Sequence, residues 1–134
     1  MLFGKKHVDR YVETDGKEGY VWRNGAPILI LTTRGRKSGE QRSNALIFGQ
    51  RGDDYLVVGS KGGAPKPPSW YLNLQANPEV QVQVQGDRFA AHARTAGAGE
   101  KPELWKIMTA VWPDYDAYQR RAEREIPVVV LTRD

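Results

Sequence analysis

The sequence predicts a mainly β, α+β fold: a split antiparallel β-barrel of about six strands, with short helices inserted late in the chain. Six runs rich in β-branched and apolar residues are separated by turns, and helical spacing of apolar residues is confined to the second half. Strands and helices do not alternate regularly, which argues against a Rossmann sheet. The 134 residues suit one folded domain, with residues 1–26 as an N-terminal arm and residues 27–134 as the barrel.

The first elements predicted after the arm are three strands. The apolar run over residues 27–33 predicts a buried first strand, and residues 43–49 predict its partner. The turn sequence Arg51-Gly52-Asp53-Asp54 leads into a third strand over residues 55–60. Short turns between these strands predict an antiparallel meander. The arm itself is expected to be extended or a short helix that runs into a loop.

Helices and strands are both predicted in the second half. Ser69 is placed to cap a short helix over residues 70–76. Valine and glutamine alternate with period two over residues 80–85, which is typical of a half-buried strand. The remaining predicted elements are a strand over 88–95, a helix from Pro102 to Val111, a helix over 114–122 and a final strand over 126–132.

The composition limits the classes of function. The chain has 20 Lys and Arg against 16 Asp and Glu, and this formal charge of +4 favours an anionic partner without naming it. The absence of cysteine excludes disulfides, thiolate metal sites and a cysteine nucleophile. The sequence has neither a long apolar stretch nor an apolar core of signal-peptide length near its start, so a cytoplasmic location is expected.

A cationic loop follows the first strand. Four cations and two glycines lie within Arg34-Gly35-Arg36-Lys37-Ser38-Gly39-Glu40-Gln41-Arg42. Cations crowded on a tight turn repel one another, and an anion held between them would offset that cost. Guanidinium and ammonium groups on such a turn suit phosphate or carboxylate. The alternative is a basic hairpin tip that keeps the protein soluble.

A second polar loop, Ser60-Lys61-Gly62-Gly63, closes the third strand. In a meander the ends of the first and third strands share one edge of the sheet, so we expect the two loops to converge. Trp70 and Tyr71 follow shortly afterwards and offer aromatic area to a ligand. Packing in the core is an equal alternative for each of these two rings.

Several common catalytic motifs are missing. Arg36-Lys37-Ser38 is similar to the end of a Walker A motif, but Arg36 stands where glycine is needed, and no G-x-G-x-x-G follows a strand. His7 and His92 are the only histidines, and no carboxylate pair stands at ligand spacing, so no metal site is expected. No G-x-S-x-G occurs either. An enzyme of this composition would need a cofactor that carries the reactive atom.

Taken together, these motifs resemble those of the deazaflavin-dependent nitroreductases, a class A family of flavin and deazaflavin oxidoreductases. The resemblance covers about residues 27–131, in order and without large gaps. The residues concerned are Ile28-Leu29-Ile30-Leu31-Thr32-Thr33-x-Gly35-Arg36-Lys37-Ser38-Gly39, Arg42, Asn44, Ser60-Lys61-Gly62-Gly63, Trp70-Tyr71-Leu72-Asn73-Leu74, Asn77-Pro78, residues 80–83, Tyr115, Tyr118 and Ile126-Pro127-Val128-Val129.

The resemblance implies that residues 27–134 form a split β-barrel that binds coenzyme F420, a 5-deazaflavin with a phosphate and an oligoglutamate tail. Members of this family take hydride from reduced F420 and deliver it to quinones, and adventitiously to nitroaromatic compounds. The implied partner is therefore a small quinone-like or nitroaromatic acceptor, and not a nucleic acid.

The same resemblance assigns roles to individual residues. Hydroxyls such as those of Ser60 and Tyr115 could stabilise negative charge that develops on an acceptor oxygen. In this assignment the phosphate and acidic tail are held by Arg36, Lys37 and Arg42. The deazaflavin is contacted by Asn44, Ser60, Lys61 and Gly62, with Trp70 packing nearby. The acceptor pocket is lined by Tyr115 and Tyr118, and the catalytic candidates are Ser60, Tyr115 and Tyr118.

Two departures from the family pattern lead to expectations. Ile47 and Trp112 stand where close relatives carry tyrosines, so activity on bulky bicyclic nitro compounds should be weak or absent while quinone reduction persists. The N-terminal segment contains the basic residues Lys5, Lys6 and Arg10 but no convincing apolar face. At most peripheral membrane association is therefore expected.

The residues leave alternatives open. The cationic loop would also suit the phosphate of FMN, which is the alternative cofactor. A single-stranded nucleic-acid-binding β-barrel is less favoured, because the charge excess is small and Asp53, Asp54 and Glu79 interrupt any basic stripe. A site that one chain completes is compatible with a monomer and with a homodimer.

Overall fold

The computed structural model describes residues 2–134, which form a curled half-barrel of seven strands with four α-helices. The helices are α1 (Gly4–Thr14), α2 (Ser69–Ala76), α3 (Lys101–Val111) and α4 (Asp114–Arg121). The strands are β1 (Ile28–Arg34), β2 (Gln41–Ile47), β3 (Gly49–Arg51), β4 (Asp54–Val58), β5 (Glu79–Val84), β6 (Asp87–Thr95) and β7 (Val128–Arg133).

The described strands form one antiparallel sheet in the order β2-β1-β5-β6-β7-β4-β3. The predicted split-barrel, α+β class is therefore confirmed, with seven strands where about six were predicted. The extra strand arises because the predicted strand over residues 43–49 is two strands: β2 ends at Ile47, and β3 begins at Gly49 and pairs with β4. Between them the backbone N–H of Phe48 donates to the carbonyl of Pro27 at 3.1 Å.

The three predicted strands pair antiparallel in chain order, but the predicted second strand bends at Phe48 instead of continuing through one flat meander. β2 and β3 lie at the two ends of the sheet order, and β4 pairs with β3 and β7 instead of extending the β1–β2 hairpin. The chain passes directly from β2 to β3 at Phe48. Because one residue connects the two ends of the sheet, the sheet must curl, and this bend produces the half-barrel.

The final strand, β7, is buried on both faces. Val129 belongs to an apolar cluster with Trp70 of α2, whereas Val130 belongs to a second cluster with Met108 of α3. Residues 128–131 have no exposed surface, and full burial of one such side chain stabilises a fold by about 1.5–3 kcal/mol. The elements around β7 therefore supply much of the core.

The N-terminal segment packs on the barrel. Residues 1–26 were expected to be extended or helical, and α1 is helical, while Met1 lies outside the described residues. Tyr11 is fully buried, and its hydroxyl donates to the carbonyl of Ile28 at 2.9 Å and accepts the amide of Gln85 at 2.7 Å. Tyr11 thus connects α1 to β1 and to the β5–β6 turn. The division of the chain at residue 26 stays a prediction.

The other helices lie close to their predicted positions. Pro102 lies in the first turn of α3, as predicted. The predicted cap on α2 is wrong: the helix begins at Ser69 itself, Pro68 occupies the N-cap position, and no side chain caps the helix. Among the described residues, no helix combines the length and the apolar character that crossing a membrane requires.

Candidate functional site

A large cavity lies where the loops after β1 and β4 meet the start of α2 and the α3–α4 junction. Its volume is about 1020 Å³, at the upper limit of ordinary small-molecule sites, which leaves space for a large cofactor and part of a second molecule. The two loops thus converge, as predicted. Every site residue predicted from the sequence lines the cavity: Arg36, Lys37, Arg42, Asn44, Ser60, Lys61, Gly62, Trp70, Tyr115 and Tyr118.

The loop between β1 and β2 is closed by its own backbone. The amide of Gly35 donates to the carbonyl of Glu40 at 2.7 Å, and the amide of Gly39 donates back to the carbonyl of Gly35 at 2.8 Å. Gly39 has a φ of +74°, which glycine adopts without steric cost. This tight turn keeps Arg36 and Lys37 at the cavity.

The cations of this loop are not equivalent. Arg36, Lys37 and Arg42 line the cavity, whereas Arg34 borders a small separate groove beside β5. Arg42 also forms an exposed ion pair with Glu40, with 3.3 Å between Nη2 and Oε2. Exposed pairs of this kind contribute at most about 1 kcal/mol, so Arg42 can exchange Glu40 for a ligand anion at little cost.

Asn73 of α2 was missed as a functional residue from the sequence. Its side chain is buried, and its Oδ1 accepts both the backbone amide of Arg36 at 3.2 Å and the guanidinium Nη1 of Arg36 at 2.8 Å. Its Nδ2 donates to the hydroxyl of Thr33 at 3.2 Å. Asn73 therefore fixes the cationic loop to α2. The sequence offered one indication of this role, because Asn73 is the only polar amide in the otherwise apolar run that follows Trp70 up to Leu74.

The loop after β4 has an unusual backbone. Lys61, Gly62 and Gly63 have successive φ values of +45°, +64° and +84°. A Cβ on Gly63 would lie 2.7 Å from the carbonyl oxygen of Tyr118, so glycine is required for this close contact with α4. Ser60 precedes these residues and is buried at the cavity wall.

The aromatic residues next to this loop have different roles. Trp70 is buried in the core and also lines the cavity, so it belongs to both, whereas Tyr71 is a core residue whose hydroxyl lies 2.8 Å from that of Thr95. Tyr115 and Tyr118 of α4 line the cavity with 6.0 Å between their ring centroids.

The two tyrosines of α4 are suited to donate hydrogen bonds. Burial, with a smaller contribution from Tyr118, raises the pKa of Tyr115 well above its usual range, so Tyr115 stays protonated at physiological pH. The hydroxyl oxygen of Tyr118 accepts the indole N–H of Trp112 at 3.4 Å. The proton of Tyr118 thus remains available for another acceptor.

The N-terminal segment forms a further wall that the sequence did not predict. Trp22 stacks on Trp112 with 5.5 Å between ring centroids, and Phe3 packs its ring edgewise on Trp22 at 6.0 Å. His7 is held beside them, since its Nε2 donates to the carbonyl of Gly19 at 2.8 Å. No motif marks these residues, because their partners are distant in sequence. The lining residues of this wall are Leu2, Phe3, Gly4, His7, Trp22 and Arg23.

The chain is similar to proteins described as F420H(2)-dependent quinone reductases. The family model for F420H(2)-dependent quinone reductase matches residues 3–133, which extends the likeness to the N-terminal segment. An F420H(2)-dependent quinone reductase of Mycobacterium tuberculosis is 40% identical over 130 residues, covering 95% of this chain and 87% of that protein.

Two solved structures are also similar to this chain. An F420-H2-dependent reductase named FDR-A has 40% identity and a TM-score of 0.73, covering 78% of this chain and 93% of its own. A structure described as a domain-swapped dimer has 37% identity and a TM-score of 0.76, with 95% of both chains covered. This chain therefore belongs to the F420H(2)-dependent quinone reductase family, which confirms the predicted family, the oxidoreductase class and coenzyme F420 as the cofactor.

Proposed function

We propose that the protein binds reduced coenzyme F420 in the cavity and transfers hydride to a quinone. The observation that carries the proposal is that a cationic loop and a wall of aromatic hydroxyls line the same cavity. The cationic loop suits the anionic tail of the cofactor. The aromatic hydroxyls suit a flat acceptor whose oxygens become negative. When bound, the reduced deazaflavin supplies a hydride from a ring carbon.

The residues present fit this cofactor. Arg36, Lys37 and Arg42 are exposed at the cavity, where their charges can contact phosphate and carboxylate groups. The ring system needs a flat site with a few polar contacts, which we assign to Asn44, Ser60, Lys61, Gly62 and Trp70.

The catalytic roles are assigned to hydroxyl groups. Tyr115 donates a hydrogen bond to the acceptor oxygen that becomes negative as hydride arrives, because burial keeps its hydroxyl protonated. Ser60 and Tyr118 supply further donors, and the indole N–H of Trp112 orients the hydroxyl of Tyr118. In comparable sites the loss of one such donor lowers kcat by about 10²–10³-fold. Hydride transfer then requires that these walls hold the acceptor in contact with the cofactor ring.

The first test is cofactor binding. Ligand fluorescence should show that the protein binds F420 more tightly than FMN. Simultaneous Arg36→Glu, Lys37→Glu and Arg42→Glu substitutions should weaken F420 binding at least about tenfold, since the loss of a single charge-assisted contact of about 1.5 kcal/mol has that effect. Arg34→Glu is the matched control, because Arg34 belongs to the same loop but does not line the cavity.

The outcomes separate the alternatives. Equal F420 affinity in the triple variant and the parent would contradict the proposed tail site. Preference for FMN would contradict the cofactor assignment for this cavity. Failure of the parent to oxidise F420H2 with a soluble naphthoquinone would contradict the proposed reaction.

A further inference from the structure

The loop after β4 is held by a residue that lies outside the cavity. We call residues 60–64 the glycine loop. Its centre has three successive residues with positive φ, one of which, Lys61, is not glycine. A non-glycine residue in this region is costly and persists only when surrounding contacts impose it. The loop therefore requires a specific restraint.

Arg124, between α4 and β7, supplies that restraint. Its Nη2 donates to the carbonyl of Ser60 at 2.8 Å, and its Nε donates to the carbonyl of Ala64 at 2.9 Å. These contacts add to the loop's own backbone hydrogen bonds, which the amides of Gly63 and Ala64 donate to the carbonyls of Ser60 and Lys61. One guanidinium thus bridges the first and last residues of the glycine loop. A second arginine, Arg121, donates more weakly to the carbonyl of Gly62 at 3.4 Å.

The contact of Arg124 also affects the direction of a backbone donor. A trans peptide unit points its C=O and its N–H to opposite sides. Because Arg124 binds the carbonyl of Ser60, the N–H of Lys61 in the same peptide unit points away from Arg124. Hydrogen bonding of the carbonyl to a charged donor also polarises the unit and strengthens its N–H as a donor.

The contacts with the glycine loop require an arginine at position 124. Nη1 of Arg124 is buried and has no hydrogen-bond partner among residues 2–134. A buried guanidinium nitrogen without a partner is costly, so the two carbonyl contacts and the packing around them must offset this cost. Lysine has one nitrogen in place of the planar fork and cannot bridge two carbonyls in the same way.

We propose that Arg124 is a positioning residue that sets the glycine loop for cofactor binding. By holding the carbonyls of Ser60 and Ala64, it directs the Lys61 amide to the deazaflavin ring. It also keeps the loop against Tyr118, one of the two tyrosines proposed to line the acceptor pocket. This inference rests on the proposed function, because it assumes that F420 binds beside the loop.

The test compares Arg124→Ala and Arg124→Lys with the parent. Arg124→Ala should raise the Kd for F420, measured by ligand fluorescence, about tenfold. The reason is that a loop that loses about 1.5 kcal/mol of charge-assisted restraint adopts its binding conformation about ten times less often. Arg124→Lys should give a smaller increase. Arg120→Ala is the matched control, because Arg120 is an exposed arginine of α4 outside the cavity. Millimolar guanidinium should partly restore F420 binding in Arg124→Ala, an effect that general destabilisation would not produce.

A second readout does not depend on the cofactor. Amide hydrogen exchange of the glycine loop, measured on the free protein, should be faster in both Arg124 variants than in the parent and in Arg120→Ala. If Arg124→Ala does not fold, as judged by circular dichroism, the lysine variant provides both readouts.

The results distinguish this inference from the proposed function. Unchanged loop exchange, or an unchanged Kd for F420 in a folded variant, overturns the role of Arg124. If the parent itself fails to bind F420, the proposed function is overturned, and loop exchange in the free protein still decides whether Arg124 restrains the loop.

Discussion

At the residue scale, Trp112 joins the N-terminal segment to α4 at the wall of the cavity. It is almost fully buried, stacks on Trp22 and donates its indole N–H to Tyr118. A tyrosine at this position would occupy less volume and could not donate to Tyr118 from the same place. If the acceptor binds beside α4 as proposed, we expect Trp112 to limit its size while the indole N–H orients the hydroxyl of Tyr118.

Replacement of Trp112 with Tyr should shift acceptor preference. We expect the ratio of kcat/KM for a bulky bicyclic nitroaromatic to that for a small quinone to rise at least about fivefold, an effect that corresponds to about 1 kcal/mol. The smaller tyrosine side chain would leave free volume beside Trp22, which a bulky acceptor could occupy. Steady-state kinetics with both acceptors would measure the ratio. Trp105→Tyr is the control, since Trp105 lies on α3 and does not line the cavity. An unchanged ratio in Trp112→Tyr would contradict this account of selectivity.

At the element scale, α1 depends on one buried hydroxyl. The hydroxyl of Tyr11 connects the carbonyl of Ile28 and the amide of Gln85. Burial, partly offset by the hydrogen bond from Gln85, raises the pKa of Tyr11 to about 12. In the unfolded chain a tyrosine titrates near 10, so the folded protein holds this proton more tightly. The stability from the protonated hydroxyl is complete below about pH 10 and is lost as the pH rises toward 12.

The Tyr11→Phe variant should therefore be less stable than the parent by about 1–3 kcal/mol at pH 7, because two buried backbone groups lose a partner. The difference should shrink as the pH rises from about 10 to about 12, where the parent loses its advantage. Urea unfolding at several pH values would measure this difference. If the difference in the free energy of unfolding between the parent and Tyr11→Phe stays constant across that range, ionisation of the Tyr11 hydroxyl does not reduce the stability of the parent at high pH.

At the scale of the whole molecule, the bend between β2 and β3 closes the half-barrel. Gly49 begins β3 directly under α3, and a Cβ there would lie 2.7 Å from the sulfur of Met108 and 3.3 Å from a methyl carbon of Ile107. Because packed interiors adapt poorly to extra atoms, this position needs glycine for its small size and not for a special backbone angle.

We expect Gly49→Ala to lower the free energy of unfolding by about 1–3 kcal/mol, the usual cost of overpacking. Urea or thermal unfolding would measure it. Gly97→Ala is a matched control, since a Cβ at Gly97 would meet nothing within 4 Å and its φ is ordinary. Equal losses in the two variants would contradict the importance of the close contact at the bend.

The sequence by itself determined the local elements and the chemistry of the site. Alternation over residues 80–85 and the helical spacing behind Pro102 placed elements close to β5 and α3, because local pattern and propensity control these features. The motifs around Arg36, Ser60 and Tyr115 identified residues that the fold brings to one cavity.

Only the tertiary structure decided the strand order and the supporting residues. The pairing of β4 with β7 joins segments about seventy residues apart, and no local pattern specifies such a choice. Arg124 binds backbone carbonyls, which any residue carries, and Asn73 binds the backbone amide of Arg36 together with the side chains of Arg36 and Thr33. All of these partners lie more than thirty residues away in the sequence, so no local pattern indicates them. Trp22 lines the cavity beside Trp112, which lies ninety residues away in the sequence, so only the folded chain brings the two rings together.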